Sequence, residues 1–268
     1  MMIASTLIRV ATVSLAGLSL AGVANAQSYQ PEMARAPVCS APANAMKLDF
    51  PLVHTGARLA AGQPLTIVAL GSSSTAGAGA SSPSASYPAR LEAELRSRFP
   101  NAEIKVINRG VNGEDAQQML ARLDEAVLAE KPDLVLWQVG TNAVLRDHSC
   151  AGEAPLLREG IRRMKEAGAD LVVIDSQYAP KVLAKSGLHS MLDLLHSTAK
   201  YERISIFNRF EIMHKWREVD GIPFEAVLSA DGLHMNDWSY ACIAKLLAAA
   251  IADAARGVNV AGKPNVSN

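Results

Sequence analysis

The sequence carries no excess of charge of either sign, few aromatic residues and few cysteines. Its 268 residues contain 26 Lys and Arg against 26 Asp and Glu, 5% aromatic residues and three cysteines. The balanced charge argues against nucleic acid as a partner, because proteins that bind nucleic acid carry a basic surface. Three cysteines are too few for a disulfide-rich scaffold, and none has the spacing of a zinc site. With 49% hydrophobic residues, the chain can bury a sizeable core and is not mostly disordered.

The first 26 residues have the pattern of a secretory signal peptide. One basic residue, Arg9, precedes an apolar stretch from Val10 to Val23, and a small-x-small sequence ends at Ala26. The alternative, an uncleaved membrane anchor, is disfavoured because the apolar stretch is short and interrupted. We therefore expect cleavage after Ala26, export to the periplasm or the medium, and no stable membrane span in the mature protein.

Export would place the three cysteines in an oxidising compartment, where a disulfide can form. Cys39 and Cys150 lie in loop-like segments, and we predict that these two pair. Cys242 lies in an apolar helical pattern, which favours a buried free thiol.

Beyond the signal peptide, the sequence indicates one domain. Residues 27–62 are rich in Ala and Pro and are predicted to form an irregular lead-in, and residues 259–268 an unstructured tail. Residues 63–258 alternate short apolar runs with amphipathic segments, as in parallel strands with intervening helices. Five apolar runs favour a three-layer α/β/α sandwich with a five-stranded parallel sheet of the flavodoxin type. Strands are predicted at 65–70, 103–107, 133–139, 170–175 and 204–207, and helices at 88–99, 114–130, 154–167, 188–201 and 237–255.

In such sheets the site lies beyond the carboxyl ends of the strands, so the segments that follow the strands are the informative ones. The first strand is followed by a serine-rich segment, residues 71–77. It lacks the Lys of a Walker loop and the complete glycine pattern of a dinucleotide loop. Thr75 stands where the α/β-hydrolase elbow has its last glycine. The segment is compatible with an exposed nucleophile or with a flexible loop.

The next two strand ends carry groups that can stabilise a developing negative charge on oxygen. Gly113 lies in the turn after the second strand, where the start of a helix presents main-chain N–H groups. Asn142 follows the third strand, and its amide can donate a hydrogen bond. Each residue alone is also typical of an ordinary turn.

His234 is the candidate general base. It ends the sequence Asp231-Gly-Leu-His234, in which Gly232 disfavours a helix and lets the carboxylate of Asp231 orient the imidazole. A second Asp-x-x-His pair, Asp193 and His196, lies inside a predicted helix and is interpreted as a surface or half-buried pair. The other four histidines are interpreted as structural or surface residues.

Together these segments resemble the SGNH (GDSL-type) hydrolase family, whose four sequence blocks occur here in the family's order. Residues 71–77 resemble its GDS block, 106–113 its Asn-to-Gly block, 140–143 its G-x-N-D block and 231–234 its D-x-x-H block. The resemblance implies Ser73 as the nucleophile, His234 as the base and Asp231 as the residue that orients it. It implies an oxyanion hole built from the N–H groups of Ser73 and Gly113 and the amide of Asn142. It also implies hydrolysis of esters, thioesters or O-acetyl groups through an acyl-enzyme, without a metal or other cofactor.

Two positions depart from the family's pattern. Ser72 replaces the usual Asp, and Ala143 replaces the Asp that follows the block-three Asn. In the family these acids support the site, so their loss bears on rigidity and efficiency more than on the reaction class. Because Ser72, Ser73 and Ser74 are adjacent, the register of the nucleophile needs an experimental test.

The sequence thus predicts an exported serine esterase. The small, polar segments expected around the acyl pocket favour short acyl groups, such as acetyl on a carbohydrate. A lysophospholipase or thioesterase of the same family is the first alternative. The second, motivated by the two departures, is a degenerate protein that binds a glycan or lipid without cleaving it. The expected partner is a small-molecule or glycan ester, and the sequence indicates no oligomeric state.

Overall fold

A five-stranded parallel sheet forms the centre of the molecule. The computed structural model describes residues 37–256. The strands are β1 (Leu65–Gly71), β2 (Ile104–Gly110), β3 (Leu134–Gln138), β4 (Asp170–Ile174) and β5 (Ser205–Phe207). Their order in the sheet is β2-β1-β3-β4-β5, and every neighbouring pair is parallel. The predicted sandwich with a five-stranded parallel sheet of the flavodoxin type is confirmed.

Helices cover both faces of this sheet. In the described chain the α-helical segments are α1 (Val53–Ala60), α2 (Ser73–Ala76), α3 (Tyr87–Arg98), α4 (Ala116–Ala121), α5 (Leu123–Ala126), α6 (Thr141–Leu145), α7 (Cys150–Glu166), α8 (Pro180–Leu183), α9 (Leu188–Glu202), α10 (Arg209–His214), α11 (Phe224–Val227) and α12 (Asp237–Arg256). Helices α1, α3 and α12 pack together, and so do α4, α7 and α9. These two groups form the outer layers of the sandwich.

The burial of the strands follows their place in the sheet. All five residues of β3 are buried, because helices lie on both of its faces. Trp137 of β3 is fully buried, and a Cβ atom at Gly160 of α7 would lie 2.5 Å from its ring. Glycine at that position therefore lets α7 approach the sheet. In the edge strand β2 only Ile104 and Ile107 are buried, and Lys105 is exposed.

Helix α12 is apolar and long enough to cross a membrane by length and composition. In the described domain, however, 61% of its 18-residue apolar stretch is buried, and the helix packs against α3. This burial is typical of the core helix of a globular domain, since a membrane span faces lipid.

Two predicted segments differ from the structure. The lead-in is not irregular throughout, because α1 forms there and the N–H of Thr55 donates to the carboxylate of Asp170 (2.8 Å). The helix predicted at 114–130 is broken into α4, α5 and a short 3-10 turn. Between α4 and α5, Arg122 binds the carboxylate of Glu114 and the carbonyl of Arg109. These tertiary contacts hold Arg122 out of the helical conformation, and the apolar periodicity does not show them.

The predicted Cys39–Cys150 disulfide is wrong. Cys39 pairs with Cys242 of α12, with an S–S distance of 2.02 Å, and Cys150 is the free thiol. The prediction failed because the lead-in runs beside α12, where the indole N–H of Trp238 donates to the carbonyl of Pro37 (3.2 Å). A buried helical cysteine is therefore the one within reach of Cys39.

The signal peptide predicted at residues 1–26, its cleavage point and the tail predicted at 259–268 lie outside the described residues.

Candidate active site

Three of the predicted site residues meet beyond the carboxyl end of β1. Ser73 is the first residue of α2, two residues after the last residue of β1. Its Oγ lies 2.7 Å from Nε2 of His234, and Nδ1 of the same ring lies 2.5 Å from Oδ2 of Asp231. The chain of contacts from serine to histidine to aspartate is the arrangement that activates a serine hydroxyl in hydrolases.

Asp231 and His234 are held by a small antiparallel hairpin. Leu228 and Met235 form an isolated β-bridge, and the N–H of Ser229 donates to the carbonyl of His234 (2.8 Å). Inside this hairpin Gly232 adopts a left-handed conformation with φ of 65°. The turn brings the carboxylate of Asp231 back onto the imidazole three residues later.

The carboxylate of Asp231 is saturated with hydrogen-bond donors. Its Oδ1 accepts from the N–H groups of Leu233 and His234 (both 2.9 Å) and from the hydroxyl of Ser229 (2.8 Å). Partial burial raises the pKa of this carboxyl, but the hydrogen bonds from His234, Leu233 and Ser229 lower it more, so the pKa lies well below its ordinary value. Asp231 is therefore ionised at neutral pH.

The ionised carboxylate fixes the roles of the two ring nitrogens of His234. A carboxylate can only accept hydrogen bonds, so Nδ1 must carry the proton that it shares with Asp231. The lone pair of Nε2 is then directed at the hydroxyl of Ser73. The ring is oriented to accept a proton from that hydroxyl.

The turn that carries Ser73 is fixed by the side chain of Gln138, at the end of β3. Its Oε1 accepts hydrogen bonds from the N–H and the hydroxyl of Ser72 (both 2.9 Å) and from the hydroxyl of Thr75 (3.4 Å). All three residues are buried. Ser72, which replaces the family's Asp, is thus a donor in this structure. It ties the main chain next to Ser73 to the centre of the sheet.

A buried tyrosine supports the same turn. The hydroxyl of Tyr87 lies 3.3 Å from that of Thr75. Burial raises the pKa of Tyr87 to about 12, while the hydrogen bond with Thr75 lowers it by a smaller amount. The phenol is therefore neutral at neutral pH and can donate a hydrogen bond.

Two glycines allow the backbone segments around Ser73 to approach each other. A Cβ atom at Gly71 would lie 2.1 Å from Oγ1 of Thr75, and one at Gly110 would lie 2.1 Å from the main-chain nitrogen of Ala76. Real Cβ contacts are never this short. Glycine at position 110 lets the end of β2 lie directly against α2.

The other two residues predicted to form the oxyanion hole, Gly113 and Asn142, follow β2 and β3, the strands on either side of β1. One N–H of the Asn142 amide donates to the carbonyl of Glu114 (2.8 Å), which holds α6 against the loop that contains Gly113. Gly113 adopts a left-handed conformation with φ of 81°. Within residues 37–256, no hydrogen bond is donated by the main-chain N–H of Ser73 or Gly113. Both groups are available to a ligand.

Arg146, at the end of α6, clamps the same loop. Its guanidinium donates to the carbonyl of Gly113 and to the carboxylate of Asp115 (both 2.6 Å). Asp115 in turn caps α4 by accepting from the N–H of Gln118. The position of the Gly113 N–H thus depends on a charged side chain from another element.

Sequence reasoning missed Gln138 and Arg146 as supporting residues. The sequence does mark Gln138, because it is the one polar residue in the apolar run Leu-Val-Leu-Trp-Gln-Val around β3. A buried polar side chain in such a run must have a partner. Arg146 left no comparable signal, since an arginine in a polar loop is ordinary.

Across residues 37–256, no group of three or more His, Cys, Asp or Glu side chains is arranged to hold a metal ion. Ser73 and Asp231 contact opposite nitrogens of the His234 ring. The geometry is that of acyl transfer to a serine hydroxyl.

A protein-family model described as the non-GDSL lipase-like family matches residues 38–257 of this sequence, which is most of the chain. The chain belongs to this family. The predicted resemblance to SGNH (GDSL-type) hydrolases is confirmed at the level of family and fold. The word non-GDSL in the family's description agrees with the first block of this sequence, where Ser72 stands in place of the Asp.

Two relatives of this chain are named as esterases. It is 33% identical over 73 residues to an acetylxylan esterase of Geobacillus stearothermophilus, covering 27% of this chain and 32% of that protein. It is 27% identical over 133 residues to an arylesterase of Vibrio mimicus, covering 47% and 66%. The chain therefore spans less than two thirds of the length of either relative.

A solved structure with the same fold is a two-domain esterase active on acetylated mannans, crystallised with mannopentaose. The TM-score is 0.66 at 19% identity, over 83% of this chain and 58% of that protein. At this identity the likeness shows the shared fold.

Proposed function

We propose that this protein is a serine esterase that hydrolyses carboxylic esters through an acyl-enzyme on Ser73. The observation that carries the proposal is the 2.7 Å contact between Oγ of Ser73 and Nε2 of His234, in a ring whose other nitrogen lies 2.5 Å from Asp231. The esterase names of the relatives support it. A binding protein would not need this alignment, so the geometry favours catalysis over the degenerate alternative.

In the proposed mechanism, Oγ of Ser73 attacks the acyl carbonyl while His234 accepts the hydroxyl proton at Nε2. The carboxylate of Asp231 stabilises the imidazolium that forms. The N–H groups of Ser73 and Gly113, with the free N–H of the Asn142 amide, stabilise the tetrahedral oxyanion. His234 then protonates the leaving alcohol. Water, activated by the same nitrogen, attacks the acyl-enzyme, and the acid leaves.

The substrate that we propose is a short acyl ester, such as an acetyl group on a carbohydrate. The segments expected around the acyl pocket are small and polar in sequence and offer little apolar surface to a long acyl chain. Two of the similar proteins are named for acetylated xylan and mannan. A chain-length series of p-nitrophenyl esters tests this part, and a maximum of kcat/KM at palmitoyl would overturn it.

We also propose that the protein is exported. The pattern of residues 1–26 supports export, and so does the Cys39–Cys242 disulfide, because disulfides persist mainly in oxidising compartments. Cell fractionation checks this, and recovery of the uncleaved chain in the cytosol of its own host would contradict it.

Replacement of single residues tests the assignment of the nucleophile and the base. We expect Ser73→Ala and His234→Ala each to lower kcat/KM on p-nitrophenyl acetate by at least about a thousandfold. Ser74→Ala is the matched control, because its hydroxyl is buried and has no contact with His234. Fluorophosphonate labelling should be lost in Ser73→Ala and kept in Ser74→Ala. The reverse result would move the nucleophile by one residue.

A further inference from the structure

A cavity of about 660 Å³ lies beyond the carboxyl ends of β4 and β5. Asp175, which follows β4, and Asn208, which follows β5, form its floor, and side chains of α9 and α10 line its walls. Neither Ser73 nor His234 lines it. It opens at the same edge of the sheet as Ser73, because all five strands are parallel.

The distance between the cavity and the nucleophile follows from the order of the strands. Ser73 follows β1, and β4 and β5 lie two and three strands further along the sheet. Neighbouring strands are separated by about 4.8 Å, so the cavity lies about 10 to 15 Å from the end of β1. This is the span of a few linked sugar rings.

One segment of chain connects the cavity to the catalytic hairpin. Tyr178 lines the cavity, while the amide of its neighbour Gln177 donates to the carbonyl of Leu233, next to His234 (3.3 Å). In α8, the N–H of Lys181 donates to the carbonyl of Gly232 (3.4 Å). A ligand held in the cavity therefore lies against a segment that also supports the base.

Aromatic rings form a fixed wall of the cavity. The ring of Tyr178 lies 5.1 Å from those of Phe210 and His214, edge to face in both cases. Its hydroxyl donates to the carboxylate of Glu218 (2.8 Å), which fixes the orientation of the ring. Such a wall offers flat apolar surface at little entropic cost.

The polar groups of the cavity are carboxylates, histidines and the amides of Asn44 and Asn208. Asp193 and Glu211 line it with exposed carboxylates, and the buried carboxylate of Asp175 lies 3.6 Å from Nε2 of His196. His196 thus pairs with Asp175 rather than with Asp193, which sequence spacing had suggested. None of the residues that line the cavity is Lys or Arg.

This lining favours a neutral polyol. Carboxylates without a lysine or arginine disfavour phosphate and other anions, and charged walls disfavour an acyl chain. The described residues also include no cluster able to hold a metal ion. A sugar ring presents an apolar C–H face, which suits aromatic side chains, and hydroxyl donors, which suit carboxylates and histidine.

We propose that this cavity binds unacetylated sugar rings of a polysaccharide whose acetylated ring lies at Ser73. The inference rests on the proposed function, and it adds a subsite that the catalytic residues do not form. The cavity supplies affinity for the polymer, and Ser73 and His234 supply the chemistry.

Steady-state kinetics on two substrates tests the subsite. We expect Tyr178→Ala and Asp193→Ala to raise KM for acetylated xylan and mannan oligosaccharides about five- to tenfold, with kcat unchanged. Their kinetics on p-nitrophenyl acetate, which is too small to reach the cavity, should equal those of the wild type. Tyr201→Ala is the matched control, because Tyr201 is an 81% exposed tyrosine of α9 outside the cavity. An unchanged KM in both cavity variants would overturn the proposal.

Calorimetry separates failure of the subsite from failure of the proposed function. Deacetylated oligosaccharide should bind the Ser73→Ala protein, and the added Tyr178→Ala change should abolish that binding. If the protein hydrolyses p-nitrophenyl acetate but cleaves no acetylated oligosaccharide, the proposed substrate is wrong. The calorimetric binding of deacetylated oligosaccharide then still tests whether the cavity is a sugar subsite. Absence of oligosaccharide binding overturns the subsite, and so does tight binding of choline in its place, which would reveal a site for cations.

Discussion

At the scale of single residues, the turn that carries Ser73, the proposed nucleophile, is held by a hydrogen-bond acceptor on the neighbouring strand β3. Gln138→Leu would leave the N–H and hydroxyl of Ser72 and the hydroxyl of Thr75 without their shared acceptor, in a buried site. Each unsatisfied buried group costs about 1 to 3 kcal/mol, so the turn should shift. We expect kcat on p-nitrophenyl acetate to fall at least about tenfold, with KM nearly unchanged.

Ser72→Ala provides the graded comparison, because it removes one donor and keeps the acceptor. Its loss of kcat should be smaller than that of Gln138→Leu. The rate of fluorophosphonate labelling should follow the same order in both variants. Equal rates in the wild type and Gln138→Leu would show that the amide only fills space.

Asp231 makes stability depend on pH in a defined direction. Its pKa is lower in the folded protein than in the unfolded chain, so its contribution is present above the unfolded value, about 3.9, and is lost as pH falls below it. We expect Asp231→Asn to melt at a lower temperature than the wild type at pH 7. The difference should shrink as the pH is lowered toward 3. Thermal melts across this range check it, and a difference that grows in acid would contradict the assignment.

At the scale of elements, the end of strand β2 and helix α2 are in main-chain contact. A Cβ atom at Gly110 would overlap the main-chain nitrogen of Ala76, and backbone cannot move aside as a flexible side chain can. We expect Gly110→Ala to lower both the melting temperature and kcat. Gly187→Ala is the control, because nothing lies within 4 Å of its Cβ position and its φ is −76°. Full activity in Gly110→Ala would contradict the close contact.

The elements also show what sequence could and could not predict. The strands were recognisable because buried parallel strands are continuous apolar runs, and β3 is fully buried. Asp231 and His234 were recognisable because their contact is local, three residues apart in one turn. Gln138, Arg146 and the break at Arg122 act through tertiary contacts between distant segments. Periodicity carries no information about such contacts.

At the scale of the whole molecule, the disulfide ties the lead-in to the last helix. Cys39 and Cys242 are 203 residues apart, so their bond restricts most of the unfolded chain. Loss of a bond that closes so long a loop costs about 2 to 5 kcal/mol, which lowers the melting temperature by about 5 to 15 °C. We expect this shift in Cys39→Ser and no shift in Cys150→Ser, whose thiol is free.

Peptide mapping without reduction checks the pairing directly. A Cys39–Cys242 peptide should be found, and a Cys39–Cys150 peptide would overturn the connectivity. The pairing could not be predicted from the sequence, because nothing in the Ala- and Pro-rich lead-in shows that it runs along α12. The contact of Trp238 with Pro37, which joins α12 to the lead-in, links residues far apart in the chain.

The hairpin that holds Asp231 and His234 limits the ways in which this site can fail. The imidazole and the carboxylate share one short turn, so they move as a single rigid unit. The rest of the fold therefore has to set only one further contact, the joint between His234 and Ser73. Distant damage to the domain should therefore open that joint first and leave the imidazole–carboxylate pair assembled. A destabilised variant should therefore keep the contact between His234 and Asp231 while the contact between His234 and Ser73 is lost.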